Sequence, residues 1–324
     1  MKRKDSPARK AMKLLCTLLG LVFVLMLGVT LTFRHYLEQI NYIEPQNTEE
    51  SNILEVFSDL TLSASASDRI GGPGSDIMNI LLIGQDAREG ETQARSDSMI
   101  LCTYNKKTQE LTLTSFLRDL YVPIPGHGSN RINAAYSFGG ASLLKKTITQ
   151  NFGVAIDGCV EVDFSRFSEI IDYLGGVEIE LRRDEANVIN QETGSNLTEG
   201  INRLDGFQAL TYSRIRKLDA DGDFSRTNRQ RKVINALADS LRSSGIKELT
   251  SLVSKILPML TTDLSRGQIL LYALDMLPSL ARMEILSQRI PTDGTYTNRS
   301  IDGMSVLDAD LDAQHQFLRD TLLR

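Results

Sequence analysis

Apolar positions along the chain fall into short alternating or continuous runs, separated by longer stretches with helical spacing. The apolar run 78–83, stopped by Gly84, predicts a buried strand, and 98–104 predicts a second. A polar turn at 105–108 leads into a third strand over 111–116. Gly139 and Gly140 open a helix to about 152, with Leu143, Leu144, Thr147 and Ile148 on one face. Alternation at 160–164 predicts a strand, followed by a helix from 165 that Gly175 and Gly176 close. The run 177–181 alternates again. Asp205 is placed to cap a short helix over 206–211, and a longer helix covers 225–242. Helices at 247–257 and 265–276 follow, the second opened by a Ser265-x-x-Gln268 capping box. A strand at 284–290, a turn-rich stretch and a terminal helix from about 308 complete the series. Strands alternating with helices predict an α/β fold, a layered α-β-α domain with a central mixed sheet over residues 76–324, without internal repeats.

Ahead of this pattern, residues 14–33 form an uncharged apolar run of about one bilayer thickness as a helix. Lys2, Arg3, Lys4, Arg9, Lys10 and Lys13 precede it, and Glu38, Glu44, Glu49 and Glu50 follow it. The positive-inside rule then puts a basic tail, residues 1–13, in the cytoplasm and the remainder outside. No small-x-small cleavage site follows Phe33, so an uncleaved, single-pass signal anchor in the cell membrane is expected rather than a removed leader. Residues 34–75 end in Ser/Ala and Gly-rich stretches and read as a flexible extracytoplasmic linker.

The formal net charge of the 324 residues is -5, and the basic tail makes the rest more acidic still. Nonspecific nucleic-acid binding needs the opposite footprint. Cys16 lies in the predicted span; Cys102 and Cys159 could form a disulfide outside the cell or remain buried thiols. Three histidines, with no Gly-x-Ser-x-Gly, His-Glu-x-x-His or P-loop pattern, argue against serine, thiol and zinc hydrolases.

Carboxylates and arginines at strand ends remain as candidate chemistry. Arg214, Arg216, Arg226 and Arg229 crowd into one segment with Asp219, Asp221 and Asp223. Paired guanidinium groups suit phosphoryl oxygens, but a salt-bridged surface explains the same composition, and both readings stand. If the 214–216 piece is extended, its two arginines share a face. Asp86 and Arg88 follow the first strand, Arg95 and Asp97 lead into the second, and Arg118 and Asp119 end the third. Asp86 and Asp97 together would suit Mg²⁺, and the surrounding arginines would stabilise charge on transferred phosphoryl oxygens.

The ordered motifs Asn79-Ile-Leu-Leu-Ile-Gly-Gln-Asp86-Ala-Arg88, Arg95-Ser-Asp97, Phe116-Leu-Arg118-Asp119, Arg131-Ile-Asn-Ala-Ala-Tyr136, Val162-Asp-Phe164, Leu204-Asp-Gly-Phe-Gln through Arg214-Ile-Arg216, and Gly222-Asp223-Phe-Ser-Arg226 to Gln230 resemble the LytR-CpsA-Psr family. The resemblance implies a membrane-anchored phosphotransferase. Such an enzyme moves a glycopolymer, such as teichoic acid or capsular polysaccharide, from a polyprenyl-pyrophosphate carrier to peptidoglycan and forms a phosphodiester. It implies magnesium on Asp86 and Asp97. Arg118, Arg214, Arg216 and Arg226 would be the catalytic contacts to pyrophosphate, with Arg88, Arg95, Arg131, Asp223 and Gln230 completing the substrate site. It also implies an apolar tunnel for the polyprenyl tail, with Leu143, Ile148, Phe152, Phe167, Ile170 and Ile171 as candidate lining. Ala87, Leu117 and Arg131 stand where the family commonly has a hydroxyl residue, a proline and a lysine. Hydrolysis of the same pyrophosphate lipid, and a non-catalytic lipid-glycan binding or regulatory role, are the alternatives. Asp119, Asp219 and Asp221 are equal candidates for the base that would deprotonate an acceptor hydroxyl.

Overall fold

The computed structural model describes residues 37–43, 69–72, 74–85, 96–219, 222–243, 255–276, 278–280 and 282–324. The tail 1–13 and the apolar run 14–33 lie outside the described residues, as does most of the helix predicted at 247–257. Among the described residues no helix is long and apolar enough to cross a membrane.

The strands are β1 (Asn41–Tyr42), β2 (Ile77–Gln85), β3 (Ser96–Asn105), β4 (Glu110–Phe116), β5 (Tyr121–Ile124), β6 (Gly128–Arg131), β7 (Gly158–Asp163), β8 (Val177–Leu181), β9 (Gly200–Leu204), β10 (Thr261–Thr262), β11 (Glu284–Ile290), β12 (Tyr296–Ile301) and β13 (Met304–Ala309). The helices used below are α1 (Ile132–Phe152), α2 (Phe164–Tyr173), α3 (Arg183–Thr193), α4 (Gly206–Arg214), α5 (Asp223–Ser243), α6 (Arg266–Met276) and α7 (Leu311–Leu322). Seven strands form the central sheet in the order β1-β10-β7-β2-β3-β4-β11. Parallel pairing of β2 with β7 and of β4 with β11 joins antiparallel pairing through β3, so the sheet is mixed.

The pleat divides β2 between two faces. Ile77, Leu81 and Ile83 join Met99, Leu101 and the α1 residues Leu144, Ile148 and Phe152 in the larger core, which α7 closes with Leu318 and Leu322. The opposite face carries α2, α4 and α5, whose own core includes Ile171, Tyr212 and Val233 together with the β8–β9 hairpin. Toward the start of β2, Met78 and Tyr104 pack with Met283, against Tyr272 and Met276 of α6.

The start of α1 precedes the diglycine. The helix runs from Ile132, and Gly139 with Gly140 breaks it internally, Gly140 adopting φ 60. Glycine reaches that backbone region without the Cβ clash of other residues, so the pair that reads as a helix start is a kink. The β5–β6 and β12–β13 hairpins, β9 and α3 lack strong apolar periodicity, and the pattern does not predict them. Part of the stretch read as a linker also joins the fold. Asn41 and Tyr42 pair with β10, and Ile70 is fully buried and bridges Val154. Asn79 explains the second attachment: its amide donates to the carbonyls of Ile70 and Ala155 at 2.9 Å each, and its oxygen accepts from Thr103.

Cys102 and Cys159 are both free. Their strands flank β2 on opposite sides, with Cys102 opposite Ile80 and Cys159 opposite Leu81. Successive β2 residues point to opposite faces, so the two thiols do too, and no disulfide can join them. Burial pushes each thiol up to about 12. In the folded protein neither should react with iodoacetamide in mildly alkaline buffer, and both should react after urea unfolding; rapid native labelling of either would contradict this packing.

Gly206 opens α4 where it crosses α2. A Cβ there would stand 2.0 Å from the Ser168 carbonyl oxygen, while the Gly206 amide donates to Asp172 Oδ1 at 2.7 Å. Because the obstacle is backbone, Gly206→Ala is expected to destabilise the domain by about 1–3 kcal/mol. An unchanged urea midpoint would refute it.

Candidate active site

Strand ends and one helix start bring the predicted residues together. Arg118 follows β4, and its guanidinium donates to Asp97 Oδ1 at 2.9 Å, near the start of β3. The same group lies 3.4 Å from Asp223 and 3.8 Å from Asp119. Asp223 begins α5, and its carboxylate also meets Arg216 at 2.9 Å and Arg226 at 3.4 Å. Arg226 is buried and reaches the Asp97 carbonyl. Arg131 joins the edge of this network, 3.5 Å from Asp119 and donating to the Ser305 carbonyl at 3.1 Å. These four guanidinium groups stand over three carboxylates, which leaves the pocket cationic.

Burial, and then a hydrogen bond with Asp223, raise Asp119 above the usual carboxylate range. Burial acts in the same sense on Asp223, but Arg226, the Asp119 hydrogen bond, Arg118 and Arg216 outweigh it and hold Asp223 low. Asp119 therefore keeps a proton more readily than Asp223.

Beneath this network lies an apolar cavity of about 350 Å³ on the α2/α5 face of the sheet. Leu82, Ile100, Val160 and Val162 form its floor; Phe167, Ile170, Ile234 and Leu237 come from the helices. Gln230 lies in its wall two turns along α5 from Asp223, so one helix face connects the charged pocket with the cavity. Arg214 ends α4 rather than lying in an extended piece, and its guanidinium sits 4.6 Å from the Phe164 ring, another lining residue.

Of the expected lining, Phe167 and Ile170 border the cavity. Leu143, Ile148 and Phe152 belong to the core on the other side of the sheet, and Ile171 to the helical core. Helical spacing identifies an apolar face but not which side of the sheet it covers. Asp86, Arg88 and Arg95 lie outside the described residues, as does Asp221.

Arg229 separates from the pocket altogether. It is buried, donates to Glu185 Oε1 at 2.8 Å and to the Ile215 carbonyl at 3.1 Å, and also pairs with Asp219. Arg182 holds Asp219 from the other side at 2.8 Å. Both readings of the arginine-rich segment are therefore realised: Arg216 and Arg226 face the pocket, whereas Arg229 locks the 215–219 turn to α3. With Arg182 first and Arg229 next depressing its pKa, Asp219 is poorly suited to accept a proton.

The donor set also admits magnesium, which takes one or two protein carboxylates and completes its shell with water and phosphate oxygens. Asp97 is a quarter exposed within the arginine-lined pocket, and Asp86 directly follows Gln85 at the end of β2. Among the described residues there is no cluster of three or more metal-ligating side chains, a number magnesium does not require.

The mixed α/β sheet thus carries a cationic pocket at its strand ends beside an apolar cavity on one face. The chain belongs to the LytR_cpsA_psr family, whose model matches residues 43–321. It is 39% identical over 178 residues to the polyisoprenyl-teichoic acid–peptidoglycan teichoic acid transferase TagT of Bacillus subtilis, a match spanning 53% of this chain and 55% of that protein. The match thus spans about half of that relative's length. With the corresponding TagU of Bacillus licheniformis it shares 28% identity over 292 residues, 90% of each chain. Among solved structures, TagT with bound octaprenyl pyrophosphate lipid superimposes with a TM-score of 0.60 at 27% identity, covering 79% of this chain and 95% of that one.

Proposed function

We propose that this chain is a membrane-anchored phosphotransferase that attaches a glycopolymer from a polyprenyl-pyrophosphate carrier to peptidoglycan as a phosphodiester. The observation that carries the reading is the convergence of Arg118, Arg216 and Arg226 on Asp223 and Asp97 directly above the apolar cavity. The pocket suits a diphosphate and the cavity an isoprenoid tail, and the relatives' names and the lipid-bound TagT structure support that pairing.

In the mechanism, the acceptor hydroxyl attacks the phosphorus nearest the glycan, and polyprenyl phosphate leaves. Arg118, Arg216 and Arg226 hold the phosphoryl oxygens and stabilise the charge that grows on them, Arg131 supports Asp119, and Asp223 keeps three of the arginines in place. Gln230 and Arg214 stand where the headgroup meets the tail. Asp97 with Asp86 would hold Mg²⁺, which supplies charge neutralisation at the diphosphate. Arg88 and Arg95 complete the proposed substrate set, and residues 14–33 the anchor that keeps the domain outside the membrane.

The test incubates the full chain with a polyprenyl-pyrophosphate-linked glycopolymer, with and without peptidoglycan. Phosphodiester-linked product that requires the wall acceptor is expected. Release of free glycan phosphate at the same rate without acceptor would indicate a pyrophosphatase, and tight binding without turnover a binding protein.

A further inference from the structure

A second set of donors lies on the cavity face, outside the pocket described above. Cross-strand pairing aligns Val160, Leu82, Ile100, Ser115 and Arg289 in a single row over β7, β2, β3, β4 and β11. Residues paired in this way share a face of the sheet. The first three line the apolar cavity; the last two are polar. Helix α5 runs along the same edge: Arg289 stacks on Phe224 at 4.7 Å, and Arg242 near the other end donates to the Met283 carbonyl at 2.5 Å. Arg231 lies between these contacts and immediately follows Gln230 of the cavity wall.

Arg231 is 7% exposed, and its Nε and Nη1 are buried without a hydrogen-bond partner among the described residues. Arg289 Nε and Ser115 Oγ are in the same condition. Arg289 does pair with Asp293 through Nη2, but Asp293 is largely exposed to solvent. Burial first, and the like charge of Arg289 second, lower Arg231 to about 10. An uncompensated buried guanidinium is costly, and two that repel each other are costlier. Donors without acceptors at one place are the complement of an oxyanion.

We infer that Arg231, Arg289 and Ser115 form a second oxyanion subsite, which takes a phosphoryl or carboxylate group of the substrate other than the transferred diphosphate. The inference deepens the transferase reading and rests on it for the substrate. That group would come either from a phosphodiester in the glycopolymer or from a carboxylate of the wall peptide. Its place is set by the helix: Arg231 is five residues beyond Arg226, or about 7.5 Å along the axis. That separation keeps the subsite apart from the diphosphate pocket.

The experiment uses the full chain carrying R118A and R216A, so that the diphosphate pocket is disabled, and titrates inorganic phosphate by calorimetry. Saturable binding is expected to persist, and adding R231Q should weaken it about tenfold. R289Q, at a partly exposed position, should act in the same direction and carries the test if R231Q fails to fold. Absence of saturable phosphate binding, or binding indifferent to R231Q or R289Q, would overturn the subsite. Displacement of phosphate by a phosphodiester-linked oligomer or by a carboxylate-bearing peptidoglycan fragment would identify the source; displacement by neither would overturn its assignment to substrate. Transfer activity does not enter this readout, so failure of the transferase reading and failure of the subsite are separate results.

Discussion

Replacing Arg118 with alanine is expected to lower glycopolymer transfer by about a hundred- to a thousandfold, the scale of losing one donor that stabilises charge developing in the transition state. Among the described residues of the pocket, Arg118 is the side chain that meets Asp97, Asp119 and Asp223 together. Burial disfavours its charge, but Asp223, Asp97 and Asp119 outweigh that and hold its pKa above the ordinary value. Without it Asp97 loses this ion pair, and the pocket loses the cationic excess that draws in a diphosphate. The fold should survive, because Arg216 and Arg226 still hold Asp223, Arg131 still meets Asp119, and the cluster is partly open to solvent. Arg118→Lys should recover only part of the rate, since an ammonium keeps the charge but not the fork that reaches two carboxylates at once. A kinetic comparison of the three proteins at matched folded fraction decides the matter: wild-type turnover by R118A would remove the arginines from the mechanism.

Arg229→Ala should instead act on stability, costing up to about 3–5 kcal/mol, because it removes the close guanidinium partner of buried Glu185 and leaves that carboxylate only the Arg182 amide at 2.9 Å and the more distant Arg182 guanidinium at 3.8 Å. The Arg229 and Glu185 side chains are almost wholly buried, at 4% and 5% exposure. The double variant R229M/E185L should recover much of the loss, as apolar replacements of buried pairs often do. Urea unfolding of the two single variants and the double variant gives the coupling directly; additive losses would show that the pair does not interact as described. The same network predicts an acid limit. Asp219 is depressed by its bond to Arg182 foremost, so its stabilisation is present above the unfolded pKa, about 4, and is lost as pH falls below that value toward the folded one. R182M should flatten that acid dependence.

Strands with strong alternation or continuous apolar runs were legible before any coordinates: β8 and β11 match their expected bounds, and β2, β3 and β4 differ from theirs by a residue or two at an end. The β5–β6 and β12–β13 hairpins were not, because β12 is largely exposed and β6 is the four-residue piece Gly128–Arg131. Asp205 capping α4 and the Ser265–Gln268 box were readable because a cap is a local event between neighbouring residues. Arg118, Arg216, Arg226 and Asp223 were identifiable as candidates, but nothing in their spacing separated them from Arg229. That distinction depends on Glu185, 44 residues upstream, whose place beside Arg229 is a tertiary fact. Four of the six expected lining residues, Leu143, Ile148, Phe152 and Ile171, pack elsewhere for a similar reason. Leu82 and Ile100 look like ordinary core in a buried strand, and only the packing of α2 and α5 leaves space above them.

One amphiphile is proposed to occupy both compartments, its diphosphate among the arginines and its tail in the cavity. Native mass spectrometry of the detergent-purified full chain tests this most directly, comparing wild type with Val160→Trp, which fills the cavity from its floor one row further from the strand ends that carry the charged pocket. Co-purified polyprenyl pyrophosphate is expected on the wild type and should be lost from the variant. Equal lipid retention by both would contradict the shared occupancy.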